Sequence, residues 1–161
     1  MHEHVCLRPV RLSDLPDIYK LSQLTKPGLT SLSKDRDILK QQVKWSIQSF
    51  KKKLTHPENE YYFFVLEDLS NGQVVGTSGI WSQVGVGDPF YYYDIKSIYR
   101  RSKVLNRKSI VKLLHFTKLK KGPSEIGTLF LHPEYRQSGL GRLLSLGRFC
   151  YMAFEPKRFK D

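Results

Sequence analysis

Cysteine is scarce in this chain, with two in 161 residues. Cys6 and Cys150 stand far apart in apolar surroundings. So few exclude a disulfide-stapled scaffold, and their spacing is not that of a zinc site. No apolar run approaches the roughly 20 residues needed to span a bilayer. The start Met1-His2-Glu3-His4 lacks the charged and apolar regions of a secretory signal. Both cysteines therefore read as core residues of a reduced protein, and the expected location is cytoplasmic, with no membrane partner. His2 and His4 with Cys6 are the one cluster that suggests a metal, but a His-x-His at a chain terminus is commonly disordered, so no metal is expected.

Acids are also few, 15 against 27 basic residues, for a formal net charge of +12. The excess is local. Nine basic residues and no acid lie between Arg100 and Lys121, which leaves 18 against 15 elsewhere. That segment reads first as a solvated helix face with a basic bias, and it would also attract phosphates. The aromatic run Phe90-Tyr91-Tyr92-Tyr93 just before it could stack bases. No ribonucleoprotein motif, zinc spacing or helix-turn-helix accompanies it, so nucleic acid is not the expected partner.

What is present suits one domain spanning residues 1–161, with a basic and aromatic insertion at about 84–121. Val5 to Val10 reads as a strand. Ser13, Asp14 and Asp17 open a helix, and Ser33 caps a second one carrying Leu39, Val43, Ile47 and Phe50. Tyr61 to Glu67 and Gln73 to Gln83 read as antiparallel strands joined at Asn71-Gly72. Gly76 and Gly79 suggest a bulge or a close approach by something flat. Trp81 reads as core.

Between Glu125 and Phe154 a buried strand leads through Pro133 into a helix that starts with two glycines and no acid. The first N–H groups of a helix have no internal partner and carry partial positive charge, so an anion docks well there. Glycines at 139 and 141 leave room for it, and Arg136 and Arg142 add charge. The pattern Arg136-x-x-Gly139-x-Gly141 is neither the dinucleotide fingerprint nor the P-loop. It resembles the pyrophosphate loop of the GNAT acyl-CoA N-acyltransferases. The implied fold is α/β (α+β): a GNAT-like mixed, mostly antiparallel sheet with helices on both faces. The last helix reads as apolar nearly all round, with Arg142, Ser145 and Arg148 wet.

A closer resemblance covers nearly the whole chain. Leu7-Arg8-Pro9-Val10, Gly28-Leu29-Thr30-Ser31-Leu32, Asp88-Pro89-Phe90-Tyr91-Tyr92-Tyr93 and Glu125-Ile126-Gly127-Thr128-Leu129-Phe130-Leu131 are similar, in order and spacing, to the amino-terminal half of the arginine N-succinyltransferase family. The resemblance implies transfer of succinyl from succinyl-CoA to the α-amino group of L-arginine, in arginine catabolism, by direct attack of the amine on the thioester. Carried over, Leu129 matches a position contacting succinyl-CoA, and Arg136, Gln137, Gly139 and Gly141 match the pyrophosphate loop. Glu125 is the one acid placed as a candidate base. His115 and His132 read as surface histidines. Ser31 and Asp88 are candidates for the amino-acid pocket only through the resemblance.

The family runs to about twice this length, and its second half carries the proposed catalytic histidine. Here the chain stops where a fifth strand of a GNAT domain would begin, which would leave the CoA slot with one wall. Three readings follow. The chain is a succinyltransferase completed by a second polypeptide or by a homo-oligomer, or a truncated CoA-binding remnant without chemistry, or a basic interaction module.

Overall fold

The computed structural model describes residues 4–136 and 139–160. They divide into two compact units, residues 4–83 with 123–136 and 139–160, and residues 84–122.

The first unit is built on a four-stranded sheet. Its strands are β1 (Val5–Pro9), β2 (Tyr61–Asp68), β3 (Gln73–Trp81) and, after the second unit, β6 (Glu125–Leu131). The spatial order is β1-β2-β3-β6, and every pairing is antiparallel. Three α-helices accompany it, α1 (Leu15–Gln23), α2 (Arg36–Lys51) and α3 (Leu140–Phe154). Alternation along β2 shows how they are layered, because successive side chains point to opposite faces. Tyr61, Phe63 and Val65 pack with Ile18, Leu21, Leu39 and Val43 of α1 and α2. Tyr62 and Phe64 pack with Tyr151 and Met152 of α3, and Leu66 joins Leu140 and Leu144. The expected class, a mostly antiparallel α/β sheet with helices on both faces, is the one found, and the pairings in this sheet are all antiparallel.

Local chemistry explains the element ends. Asp35 caps α2, accepting from the N–H groups of Asp37 and Ile38, while Ser33 accepts from Asp35 instead of capping the helix itself. α1 is entered through a short 3-10 turn, Leu12–Asp14. Arg8 of β1 reaches both Asp14 and Glu67, and this pairing with two carboxylates holds its pKa above the usual guanidinium range. Gly79 has the flat neighbour that the sequence suggested. A Cβ there would lie 2.8 Å from the Tyr61 hydroxyl and 3.0 Å from Thr128 Oγ1. Trp81 stacks on Tyr61 with ring centroids 4.6 Å apart, half-buried and packed against the core.

The second unit is a ribbon of two strands, β4 (Phe90–Ser102) and β5 (Arg107–Leu119). The expected basic helix face is therefore wrong, and the nine cations lie on strands and their connections. The residues around them are Ile, Val, Tyr and Thr, which favour the pleated conformation, and Asn106 turns the chain with φ 43°.

Three further expectations about burial are corrected. Arg148, read as wet, is 3% exposed, because its guanidinium folds back onto the carbonyls of Ser145 and Gly127. Leu143, Leu146 and Phe149 are about half exposed and Phe154 is 85% exposed, so α3 has an apolar side that the described residues leave partly uncovered. Cys150 is exposed on that helix and Cys6 is half-buried, so neither is a true core residue.

Candidate functional site

β6 is the edge of its sheet, and it is not a regular strand. Its register against β3 changes between Thr77 and Gly79, so that Thr128 and Leu129 together face Ser78. The extra residue of such a bulge falls outside the ladder and bends the strand locally. Thr128 sits there with φ 53°. A β-branched residue resists that conformation, and holding it costs on the order of 1–3 kcal/mol.

Side chains from three other elements hold it. The Thr128 N–H donates to Ser31 Oγ at 2.9 Å, and its carbonyl accepts from Thr77 Oγ1 at 2.9 Å. Its own hydroxyl meets the Tyr61 hydroxyl at 2.8 Å. Burial pushes the Tyr61 phenol well above its ordinary pKa, so this contact joins two neutral hydroxyls. Thr128, Thr77 and Tyr61 are all fully buried. Strained residues held in this way cluster at active sites and ligand clamps, which makes the bulge a candidate.

Beside the bulge is a cleft of about 380 Å³, lined by Leu24 to Pro27 and Leu29 on one side and by Leu129, Phe130, Pro133 and Arg136 on the other. Leu129 is half-exposed at its wall. Arg136 lies at the rim, with Nε donating to the Leu131 carbonyl at 3.1 Å and the guanidinium 5.6 Å from the Phe130 ring centroid.

In the chain, Arg136 is followed shortly by the start of α3. Gly139 is its N-cap with φ 77°, a left-handed turn that glycine takes at no steric cost. Gly141 is different. It lies inside the first helical turn, its φ is not positive, and the nearest atom to a Cβ there would be Leu131 Cδ2 at an ordinary 3.8 Å. A glycine within a helix costs about 1 kcal/mol against alanine. Among the described residues no close neighbour requires a glycine there. No acid occurs in the first turn to oppose an anion, and Arg142 lies exposed beside it.

Of the residues expected at the site, Leu129 and Arg136 line this cleft, Ser31 holds the bulge next to Leu129, and Gly139 and Gly141 lie at the start of α3. Gln137 lies outside the described residues, as does His2. Glu125 is on the same strand at its far end, opposite Trp81 and outside the cleft lining. Burial pushes its carboxyl above the ordinary pKa. Asp88 belongs to the second unit, in the loop before β4, and His115 is exposed on β5. His132 accepts from the Glu134 N–H at the turn after β6. No cluster that could hold a metal ion occurs among the described residues. Likewise, no helix among them is long and apolar enough to cross a membrane.

Sequence reasoning missed Thr128, Thr77, Tyr61 and Arg148. Thr128 lay within a quoted motif, yet nothing in a threonine codes for positive φ. Arg148 looked like any arginine on a helix.

The family described as arginine N-succinyltransferase beta subunit matches residues 5–161. Arginine N-succinyltransferase of Escherichia coli O6:K15:H31 (strain 536 / UPEC) is 37% identical over 155 residues, covering 96% of this chain and 45% of that protein. The protein of the same name from Enterobacter sp. (strain 638) shows the same identity and coverage. Among solved structures, arginine/ornithine succinyltransferase subunit AI from Pseudomonas aeruginosa superposes with a TM-score of 0.92 at 31% identity, covering 98% of this chain and 48% of that one. The chain spans about half the length of the curated relatives it matches.

Proposed function

The chain belongs to the arginine N-succinyltransferase beta subunit family, and from that premise we propose that it is the half of an acyltransferase that grips succinyl-CoA for transfer to the α-amino group of L-arginine. The observation that carries this reading is the strained Thr128 bulge on an edge strand, beside a cleft lined by Leu129 and Arg136, with Gly139 and Gly141 at the helix start that follows in the chain.

In this reading the pyrophosphate sits on the open N–H groups at the start of α3, with Arg136 and Arg142 supplying charge. The pantetheine runs along the free edge of β6 as an added strand. A backbone N–H near Leu129 meets the thioester oxygen as it takes on charge. The arginine amine, deprotonated, forms the new C–N bond. The C–S bond then breaks, and the second amine proton leaves with CoA as its thiol. No covalent enzyme intermediate is required. Glu125 is the one acid on β6, and its raised pKa is in the direction that a base working near neutral pH needs.

The transfer is proposed to need a second polypeptide, or another copy of this chain, to complete the sheet. Ile126 and Leu129 on the edge strand and Leu143, Leu146 and Phe149 on α3 are exposed apolar side chains. Lys160 already lies against the start of β6, its carbonyl accepting from the Ser124 N–H at 2.8 Å. L-arginine is the proposed acceptor, and the candidates for its pocket are Ser31, which accepts from the Thr128 N–H next to Leu129, and Asp88. The cytoplasm is the proposed location.

Calorimetric titration of the chain with succinyl-CoA tests the reading. Saturable binding is expected at moderate salt. Gly141→Ala is the informative variant: it should raise thermal stability and yet weaken succinyl-CoA at least tenfold, whereas a merely structural glycine would show only the gain. Binding without turnover in the presence of the complementary half would instead support a CoA-binding remnant. A folded chain that does not bind succinyl-CoA would sink the proposal.

A further inference from the structure

The ribbon of the second unit carries a surface that the acyl-transfer reading leaves unused. β4 and β5 pair without a bulge from Phe90 opposite Leu119 to Ser102 opposite Arg107. With an unbroken register, alternate residues share a face. One face sets Tyr93, Ile95 and Tyr99 directly against Phe116, Leu114 and Ile110. All six are exposed, Ile95 at 69%, Leu114 at 68% and Tyr99 at 82%. The other face is better covered, with Tyr92, Asp94, Val111 and Thr117 half-buried.

The area is large for an unpartnered surface. With Tyr91 included, and at about 150–250 Å² for each fully exposed aromatic side chain, the stripe leaves on the order of 800 Å² uncovered. Folded monomers rarely show more than a few hundred Å² of contiguous apolar surface. A standard protein–protein interface covers about 800 Å² on each partner. A lone two-stranded ribbon is also marginal by itself, so it gains from being covered.

Charge decides among the occupants. The same face carries Arg101 opposite Lys108, Lys112 opposite Ser97 and Lys118 opposite Tyr91, and no acid. The whole unit holds ten Lys and Arg against Asp88 and Asp94. Two copies face to face would bring these cations together. A nucleic acid would suit the cations, but the centre of the stripe is aliphatic, and the rings of Tyr91 and Phe116 are stacked on each other at 5.4 Å and 6°. An apolar centre with a charged rim is the anatomy of a protein interface.

We infer that this face of the ribbon docks a different polypeptide, one whose contact surface has an apolar centre and carboxylates at its rim. The inference stands whether or not the chain binds succinyl-CoA.

Fluorescence anisotropy with the full chain tests it, in about 0.15 M salt where long-range attraction is screened beyond roughly 8 Å. The probe is a labelled 16-residue peptide alternating Glu with Leu and Phe; the controls are the same peptide with Gln for Glu and a single-stranded oligothymidylate of equal length. Sedimentation velocity runs alongside. The acidic peptide should bind saturably, and at least tenfold more tightly than the Gln peptide. Ile95→Asp/Leu114→Asp and Lys112→Glu should each weaken it at least tenfold, with unchanged circular dichroism and a monomeric chain throughout. No binding of the acidic peptide, or binding indifferent to the Ile95 and Leu114 changes, overturns the inference. So does oligothymidylate binding that is equally tight and lost in the same variants, which would make the partner a nucleic acid. A concentration-dependent dimer abolished by Ile95→Asp/Leu114→Asp would make the occupant a second copy.

Discussion

Two aromatic runs in this chain look interchangeable, Tyr61-Tyr62-Phe63-Phe64 and Phe90-Tyr91-Tyr92-Tyr93. Both form strands. The first is buried along its whole length, because β2 has a strand on each side and helices over both faces. The second belongs to a two-stranded ribbon, and Tyr91 and Tyr93 are more than half exposed. Residue type decided the strand in each case, and the layers around it decided burial. The same side chains thus supply cohesion in one place and uncovered surface in the other.

The contrast can be broken by substitution. The largest effect is expected from Phe63→Ala, about 3–5 kcal/mol lost in urea unfolding, because a fully buried ring leaves a cavity that its neighbours fill only in part. A loss below about 1 kcal/mol would mean that β2 is not the packed centre described. Gly79→Ala should cost about 1–3 kcal/mol, since the new methyl meets a Tyr61 ring that Trp81 and Thr128 hold in place.

Two glutamates extend the comparison to pH. Glu60 is buried; burial alone raises its pKa, but the Lys52 ammonium, the Glu58 N–H and Ser82 together lower it below the ordinary value. A lowered folded pKa gives stability that is present above the unfolded value, near 4.5, and lost as the pH falls through the folded one. Glu60→Gln should therefore destabilise by about 1–2 kcal/mol at pH 7 and show little difference from the parent in strong acid. Glu125 has the opposite sign, because burial raises its pKa without a compensating cation. Glu125→Gln should leave stability equal or slightly higher at pH 7, and thermal melts from pH 3 to 7 compare the two directly. The smallest effect is expected in the ribbon, where Tyr93→Ala should change stability by no more than about 0.5 kcal/mol. A larger loss would show that the stripe is already covered.

Legibility followed the range of the interactions. The strands at Val5, Tyr61, Gln73 and Glu125 and the helices with Leu39 and Leu140 follow from local pattern, and the glycine turn follows from local chemistry. The basic ribbon was misread because the density of its cations drew attention from the alternation of Ile, Tyr and Val. Arg148 was misread because its partners are backbone carbonyls, one of them 21 residues away. The bulge was invisible because Thr128 is held by Ser31, Tyr61 and Thr77, and no window of sequence contains all four.

That last arrangement sets an order of assembly. Ser31 and Thr128 are separated by 97 residues, and Tyr61 and Thr128 by 67, so both contacts require that most of the first unit has already closed. A partly assembled chain would hold the glycine turn, which is local, but not the bent strand beside it. The Thr128 amide should accordingly exchange with deuterium only as fast as the entire sheet opens, and any capture of an acyl donor that needs the bend would report a finished core.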